Sequence, residues 1–236
     1  MSKFTAETII SLGFGAVNSN MLLAANLPEK GTGGLASSVL IANLPQLVLS
    51  FVYLSYNGLV TCMLLANEYN GYEIHRKSLR VTAPHGQQRS TYWLQIPYTY
   101  GVPMVTLFAT LHWLISQSIF LVRVERYADG APIGHSSISA VGLSPAPMLV
   151  VVVLGMCITA IAVGLSQRKF NGSAMPVTAS CSLMLASSSH RPSGDVDAAV
   201  LPVKWGEVEE VGNTDVGHCC FTSREVVEVV PGRTYR

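Results

Sequence analysis

Charge is missing from long stretches of this chain. From Leu35 to Asn67 there is no Asp, Glu, Lys or Arg, and from Ser90 to Val122 there is again none. Charged residues amount to 12%, against roughly 25% in soluble domains, which excludes an ordinary solvated surface over much of the length. Fifteen basic residues spread along the chain and answered by fourteen acidic ones exclude the concentrated positive field that binds nucleic acid. Cysteine is scarce and odd in number. Two of the five (Cys62, Cys157, Cys181, Cys219 and Cys220) lie inside apolar runs and no spacing fits a zinc module, so they read as reduced thiols. The start MSKFTAETII lacks the apolar core of a cleavable signal peptide, which leaves membrane insertion to a transmembrane helix. Catalytic patterns are missing too: there is no Gly-x-Ser-x-Gly elbow, no His-Glu-x-x-His run and no carboxylate pair within the apolar runs. No cofactor or metal site is predicted, and the protein reads as a non-enzyme.

What the chain has is length in apolar runs. Leu47 to Leu65, Tyr98 to Val122 and Met148 to Leu165 each approach or exceed the roughly 20 helical residues that cross a ~30 Å hydrocarbon layer. The fold class predicted is an all-α membrane protein with three transmembrane helices, at about 47–65, 98–122 and 148–165. A fourth, poorer apolar stretch over 9–27 is interrupted by Gly13, Gly15, Asn18, Ser19, Asn20 and Asn26; a poor span, a re-entrant piece and an interfacial helix are its alternatives, with a partly buried helix packed on the others favoured. Pro28 ends it, and Glu29 to Gly34 reads as a turn-rich link rather than a phosphate-cradling loop. Three regions follow: 1–34 as weak helix and link, 35–169 as the transmembrane domain, and 170–236 as a tail.

Within the first span Pro45 removes a backbone donor, so a kink or a late helix start is predicted there. Gly58, Cys62 and Ala66 recur at every fourth position, and Ala160 and Gly164 repeat the pattern in the third span. Such small-residue stripes let helix backbones approach one another in a bilayer, against the alternative of chance placement facing lipid. Asn43 and Asn57, with His112, Ser116 and Gln117 of the second span, are the candidates for lining a polar path in a transporter or channel. His112 and Ser116 share a helix face, yet no Asp or Glu lies in the spans to partner the imidazole. His112 therefore reads as a neutral histidine bonded to a neighbouring helix before it reads as a proton relay or metal ligand.

Orientation follows from the basic residues. Arg76, Lys77, Arg80 and Arg89 lie between the first two spans, Arg123 and Arg126 between the next two, and Arg168 and Lys169 after the third. The positive-inside rule places the first loop and the tail in the cytoplasm, which leaves Asn171-Gly172-Ser173 unglycosylated. Tyr92 and Trp93 precede the second span, where amphipathic rings favour the interface. The predicted location is a membrane crossed several times, the plasma membrane ahead of internal ones. Its predicted partners are membrane lipids, other membrane helices or a homo-oligomer, and no nucleic acid.

The tail is less apolar. VLPVKWGEVEEV and GHCCFTSREVVEVV are β-branched runs separated by turn residues at Gly212, Asn213, Asp215 and Gly217, which predicts a small hairpin or sheet, or else a disordered tail. Its few apolar residues require it to lean on something else. His190, His218, Cys219 and Cys220 do not have the spacing of a metal site, and palmitoylation of Cys181, Cys219 or Cys220 stays open.

GTGGLASSVLIANLPQLVLSF, YNGLVTCMLLANEY, HRKSLRV, GQQRSTYWLQIPY and LHWLISQSIFLV, with MPVTASCS, KWGEV and GHCCFTS in the tail, resemble the C-terminal half of uncharacterised fungal multi-pass membrane proteins. The resemblance covers most of residues 10–235. It implies a membrane location, a fungal source and an N-terminally truncated chain, with the segment that carries the family's domain-of-unknown-function label lying upstream. It implies no activity, cofactor or catalytic residue.

Overall fold

A computed structural model describes residues 13–17, 21–23, 31–125, 127–128, 131–132, 138–172, 174–176, 180–208, 216–230 and 232–235. In chain order the elements are β1 (Leu22–Leu23), α1 (Gly31–Ile74), β2 (Arg80–Val81), β3 (Arg89–Ser90), α2 (Tyr98–Ser118), β4 (Ile119–Val124) and β5 (Tyr127–Ala128). They continue with β6 (Ala131–Pro132), β7 (Ile138–Leu143), α3 (Pro145–Ser166), α4 (Ser182–Ser188), β8 (Lys204–Val208) and β9 (His218–Thr222). The chain forms two compact units, one of Met1–Tyr56 with Val102–Gly164 and the other of Asn57–Gly101 with Leu165–Arg236.

Helix α1 runs for 44 residues, about 66 Å at 1.5 Å per residue, more than twice the hydrocarbon thickness. It extends well past the predicted span at both ends. Its start corrects two expectations. Gly31 to Gly34 form its first turn rather than a link, and Pro45 lies inside it, so the helix does not start late. Ser37 helps to hold the glycine turn, its hydroxyl donating to the carbonyls of Gly33 and Gly34 at 3.0 and 3.1 Å. Helix α3 matches the third predicted span closely, Pro145 and Pro147 occupying the first turn where a missing N–H costs least.

Among the described residues, α1 and α3 are the two helices long and apolar enough to cross a membrane, with mean hydropathy 1.8 and 2.8. Only 11% and 6% of those windows are buried, which separates them from the core helices of a soluble domain. Leucine and valine stand exposed around both, as at Leu47, Val48, Phe51, Leu54, Val152, Val153 and Met156. Helices this apolar with so little of their surface covered suit an apolar solvent.

The second predicted span is shorter and more polar than expected. Helix α2 stops at Ser118, and Ile119 to Val122 open strand β4 instead. Threonine, histidine, glutamine, serine and Pro103 dilute its apolar residues, and the β-branched and aromatic run IFLV suits an extended backbone. Strand β4 pairs antiparallel with β7, Ile119 opposite Leu143 and Val124 opposite Ile138, and β1 adds to the other edge of β7. This sheet corrects the all-α expectation for the membrane domain, since the stretch between the second and third predicted spans carries β7. The described parts of 9–27 contain no α-helix either. Phe14 stacks on Trp113 at 6.2 Å and Leu22–Leu23 form β1, so this stretch packs on the rest without being a helix there. The remainder of 9–27, with Pro28 and Glu29, lies outside the described residues.

Aromatic rings join the helices of this unit. Tyr53 and Tyr56 lie against Phe108 at 5.2 and 5.6 Å, and the Tyr56 hydroxyl reaches the Ile158 carbonyl at 3.5 Å. Helix hydroxyls bond their own backbone: Thr110 donates to Thr106, Ser118 to Leu114 and Thr159 to Gly155. Polar side chains in an apolar setting are thereby satisfied locally.

Candidate functional site

The other compact unit is built on the last turns of α1. Tyr69 and Tyr72 project from one helix face and meet Phe221 of β9 edge-on at 5.4 and 5.5 Å. Trp205, Val203, Met175 and Cys219 complete this small core. Strand β8 pairs antiparallel with β9, Trp205 opposite Phe221, as the β-branched runs of the tail suggested. The turn residues Gly212, Asn213 and Asp215 lie outside the described residues. Helix α4 is built on the short apolar run SLMLA ahead of the hairpin.

Loop and tail are bonded together at several points. Backbone N–H and carbonyl groups of Lys77 and Val203 pair in both directions at 2.9 Å, and Gln87 donates to Val200 at 2.9 Å. The Arg76 guanidinium donates to the carbonyls of Ser223 at 2.5 Å and Arg224 at 2.8 Å. Asn70 exchanges two hydrogen bonds with the Gly172 backbone at 2.9 and 3.0 Å, and the Glu73 carboxylate accepts from the N–H groups of Ala174 and Met175. Buried Asp195 accepts from Thr222 and Ser223 through three bonds of 2.5–2.8 Å. Burial works to raise its pKa, but these bonds outweigh it and hold the carboxyl below its usual value.

A cavity of about 1060 Å³ opens within this unit. Apolar side chains of Leu65, Leu79, Leu185, Val203 and Phe221 contribute to its walls. Arg80 donates to Glu68 at 2.8 Å and to the Tyr92 hydroxyl at 2.7 Å, its guanidinium carbon 4.2 Å from the Tyr92 ring centroid. Burial opposes the Arg80 charge, and the Glu68 carboxylate more than offsets that, so its pKa is raised. Arg191, also lining the cavity, donates to the Val196 carbonyl and has no acidic partner among the described residues. Tyr69 is 8% exposed, and its hydroxyl approaches Ser188 without reaching hydrogen-bond geometry. Buried tyrosine hydroxyls usually find a partner, and an unmet one costs about 1–3 kcal/mol. Gln95, another lining residue, holds φ at 62°, a left-handed backbone that side chains rarely adopt and that recurs at ligand sites.

The candidate path residues are not gathered in this way. Asn43 is exposed and donates to its own helix at Val39, and Asn57 falls in the other compact unit. His112 is exposed, the Ser116 hydroxyl bonds the Trp113 carbonyl at 2.6 Å, and Gln117 lies beside Gly15. The small-residue stripes face outward. A methyl group added at Gly58 or Gly164 would meet nothing within 4 Å, and Cys62 and Ala160 are exposed, with Ala66 half-buried.

Of the basic residues read as topogenic, Arg76 and Arg80 are consumed inside the unit. Lys77 and Arg89 take part through their backbones, while Arg168 and Lys169 stand exposed after α3. Cys219 and Cys220 are buried, which removes them as acylation sites, and burial followed by the Glu207 charge pushes the Cys219 thiol up to about 11. Cys181 remains exposed. No cluster of metal-ligating side chains occurs among the described residues, and His218 contacts the His190 carbonyl at 2.9 Å. Sequence reasoning missed Glu68, Tyr69, Tyr92, Gln95 and Arg191. The signal within reach was Glu68 and Tyr72 following an uncharged run on one helix face.

A family described as a domain of unknown function, DUF8419, matches residues 1–216. The match lies on this chain itself, which corrects the expectation that the labelled segment lies upstream of it. No curated protein and no solved structure matches the chain.

Proposed function

We propose that this chain, which belongs to the DUF8419 family of domains of unknown function, is a non-catalytic integral membrane protein whose first loop and tail build a binding module at one membrane face. The observation that carries the reading is that residues 57–101 and 165–236 form one compact unit. A chain that leaves this unit at one membrane face and rejoins it must cross the bilayer an even number of times. With α3 crossing once, α2 must cross as well, although it is the less apolar helix. Its 21 residues span about 31 Å, enough for one passage. The protein is then multi-pass, with the β4–β7 hairpin on the opposite face.

Arg168 and Lys169 add positive charge beside the module, which supports a cytoplasmic placement, and the plasma membrane is the proposed site. The sequence resemblance to fungal multi-pass proteins supports the same architecture and a fungal source. The outward stripes at Gly58, Cys62 and Ala66 and at Ala160 and Gly164 suit contact with other membrane helices or a second copy. Conduction through a path at Asn43, Asn57, His112, Ser116 and Gln117 is the weaker reading, because Asn43 and Ser116 bond their own helix.

Single-cysteine labelling in sealed vesicles tests the topology. A cysteine introduced by Gln87→Cys and the native Cys181 should react from the same side, and one introduced by Ala131→Cys only from the other. Reaction of positions 87 and 181 from opposite sides, or release of the protein by alkaline carbonate, rules the reading out.

A further inference from the structure

We infer that the cavity of this module binds an anionic amphiphile, an acidic head group carrying a hydrocarbon tail; the inference rests on the module proposed above. Its volume of about 1060 Å³ lies just above the roughly 300–1,000 Å³ typical of small-molecule sites, and so leaves room for a chain. Leu65, Leu185, Val203 and Phe221 supply apolar wall for a tail. The wall carries two arginines and one glutamate. Because Glu68 is paired to Arg80, the positive charge of the wall left without an acid among the described residues is that of Arg191.

A buried hydroxyl without a partner in a cavity wall is a donor left over for a ligand. Tyr69 is more than nine-tenths buried, lines the cavity and makes no hydrogen bond. The aromatic walls could in principle cage a quaternary ammonium group, but two of the ring faces already hold cations. Arg80 lies over Tyr92 at 4.2 Å and Lys77 over Tyr72 at 5.8 Å. Trp93 is 86% exposed while lining the same cavity. An amphipathic ring left bare beside a hydrocarbon-lined opening fits a ligand drawn from a lipid interface. Carboxylate and phosphate heads share this chemistry, so a fatty acid and a lysophosphatidic acid are both candidates.

The test uses the full chain in phosphatidylcholine nanodiscs with a diazirine-bearing palmitic acid, and maps the photoadducts by mass spectrometry. Adducts are expected on peptides containing Tyr69, Leu185 and Val203. Palmitic acid or lysophosphatidic acid should compete at least about tenfold better than palmityl alcohol, equivalent to about 1.4 kcal/mol. Whichever acid competes better identifies the source of the head group. Leu185→Trp, which fills part of the cavity, should remove these adducts while those on the lipid-facing side of α3 persist. Arg191→Gln, at an exposed position, should abolish the preference for acid over alcohol and leave folding intact. The inference fails if cavity adducts are absent, if the alcohol or an alkyltrimethylammonium competes as well as the acids, or if neither substitution changes the pattern. Adducts on α3 without cavity adducts would reject the ligand and leave the membrane module standing. Their absence from α3 as well would reject both.

Discussion

Gly172 shows how narrowly single positions are set in the module. A methyl group there would lie 2.5 Å from a Glu73 carboxylate oxygen and 3.1 Å from the Asn70 amide nitrogen. Gly172→Ala should therefore push apart the contacts that fasten the tail to α1, lowering stability by about 1–3 kcal/mol. The midpoint at which buried Cys219 and Cys220 react with a thiol dye on heating measures it. At pH 7.5 the same dye should label Cys181 and spare Cys219, whose thiol is buried and ionises only near pH 11. Fast labelling of Cys219 in the folded protein would contradict its burial. Asp195 gives a pH dependence with a defined sign. Its pKa is lowered in the folded state, so its stabilisation is complete above the unfolded value of about 3.9 and is lost as pH falls through the lower folded value. Asp195→Asn should thus cost stability at pH 7, and the gap to the parent should narrow as the pH falls below about 4.

Among the elements, α3 and the β8–β9 hairpin differ in how much is packed against them. Helix α3 has little packed against it, 6% of its apolar window being buried, and it is long and apolar enough to cross a membrane. Val153→Arg places a charge within its exposed apolar surface and should cost about 2.5–3.5 kcal/mol of insertion free energy, read as the inserted fraction in microsomes. Unchanged insertion would mean that Val153 does not face hydrocarbon. The hairpin is fixed by packing on α1. Trp205 is 5% exposed within its core, and Trp205→Ala should destabilise the module by about 3–5 kcal/mol. The indole N–H is buried without a partner, so Trp205→Phe should cost markedly less. Thiol-dye melting compares the two; equal losses would show that the indole N–H matters more than the ring volume. Helix α2 lies between these cases, its start at Tyr98 legible in the sequence and its end at Ser118 not. Strand β4 begins where the hydrogen bonds of β7 become available, and a pairing across many residues leaves no local signature.

For the molecule as a whole, the sequence determined which helices are long and apolar enough to cross a membrane, and the structure determined what the remaining residues do. Two of the three predicted spans, α1 and α3, are long and apolar enough to cross a bilayer, because hydropathy over some 20 residues is a sum that neighbours in space do not alter. The β-branched tail runs were legible for a similar reason, as propensity and turn residues act locally. The cavity was not. Glu68, Arg80, Tyr92 and Arg191 come together only once the tail has folded back onto the end of α1, and bonds such as Arg76 to Ser223 join residues 147 positions apart. The loop arginines read as topogenic charge because charge is a property of composition. That Arg76 and Arg80 are also structural ligands within the module was decided by tertiary packing, which alone brings carbonyls, rings and carboxylates within reach of a guanidinium.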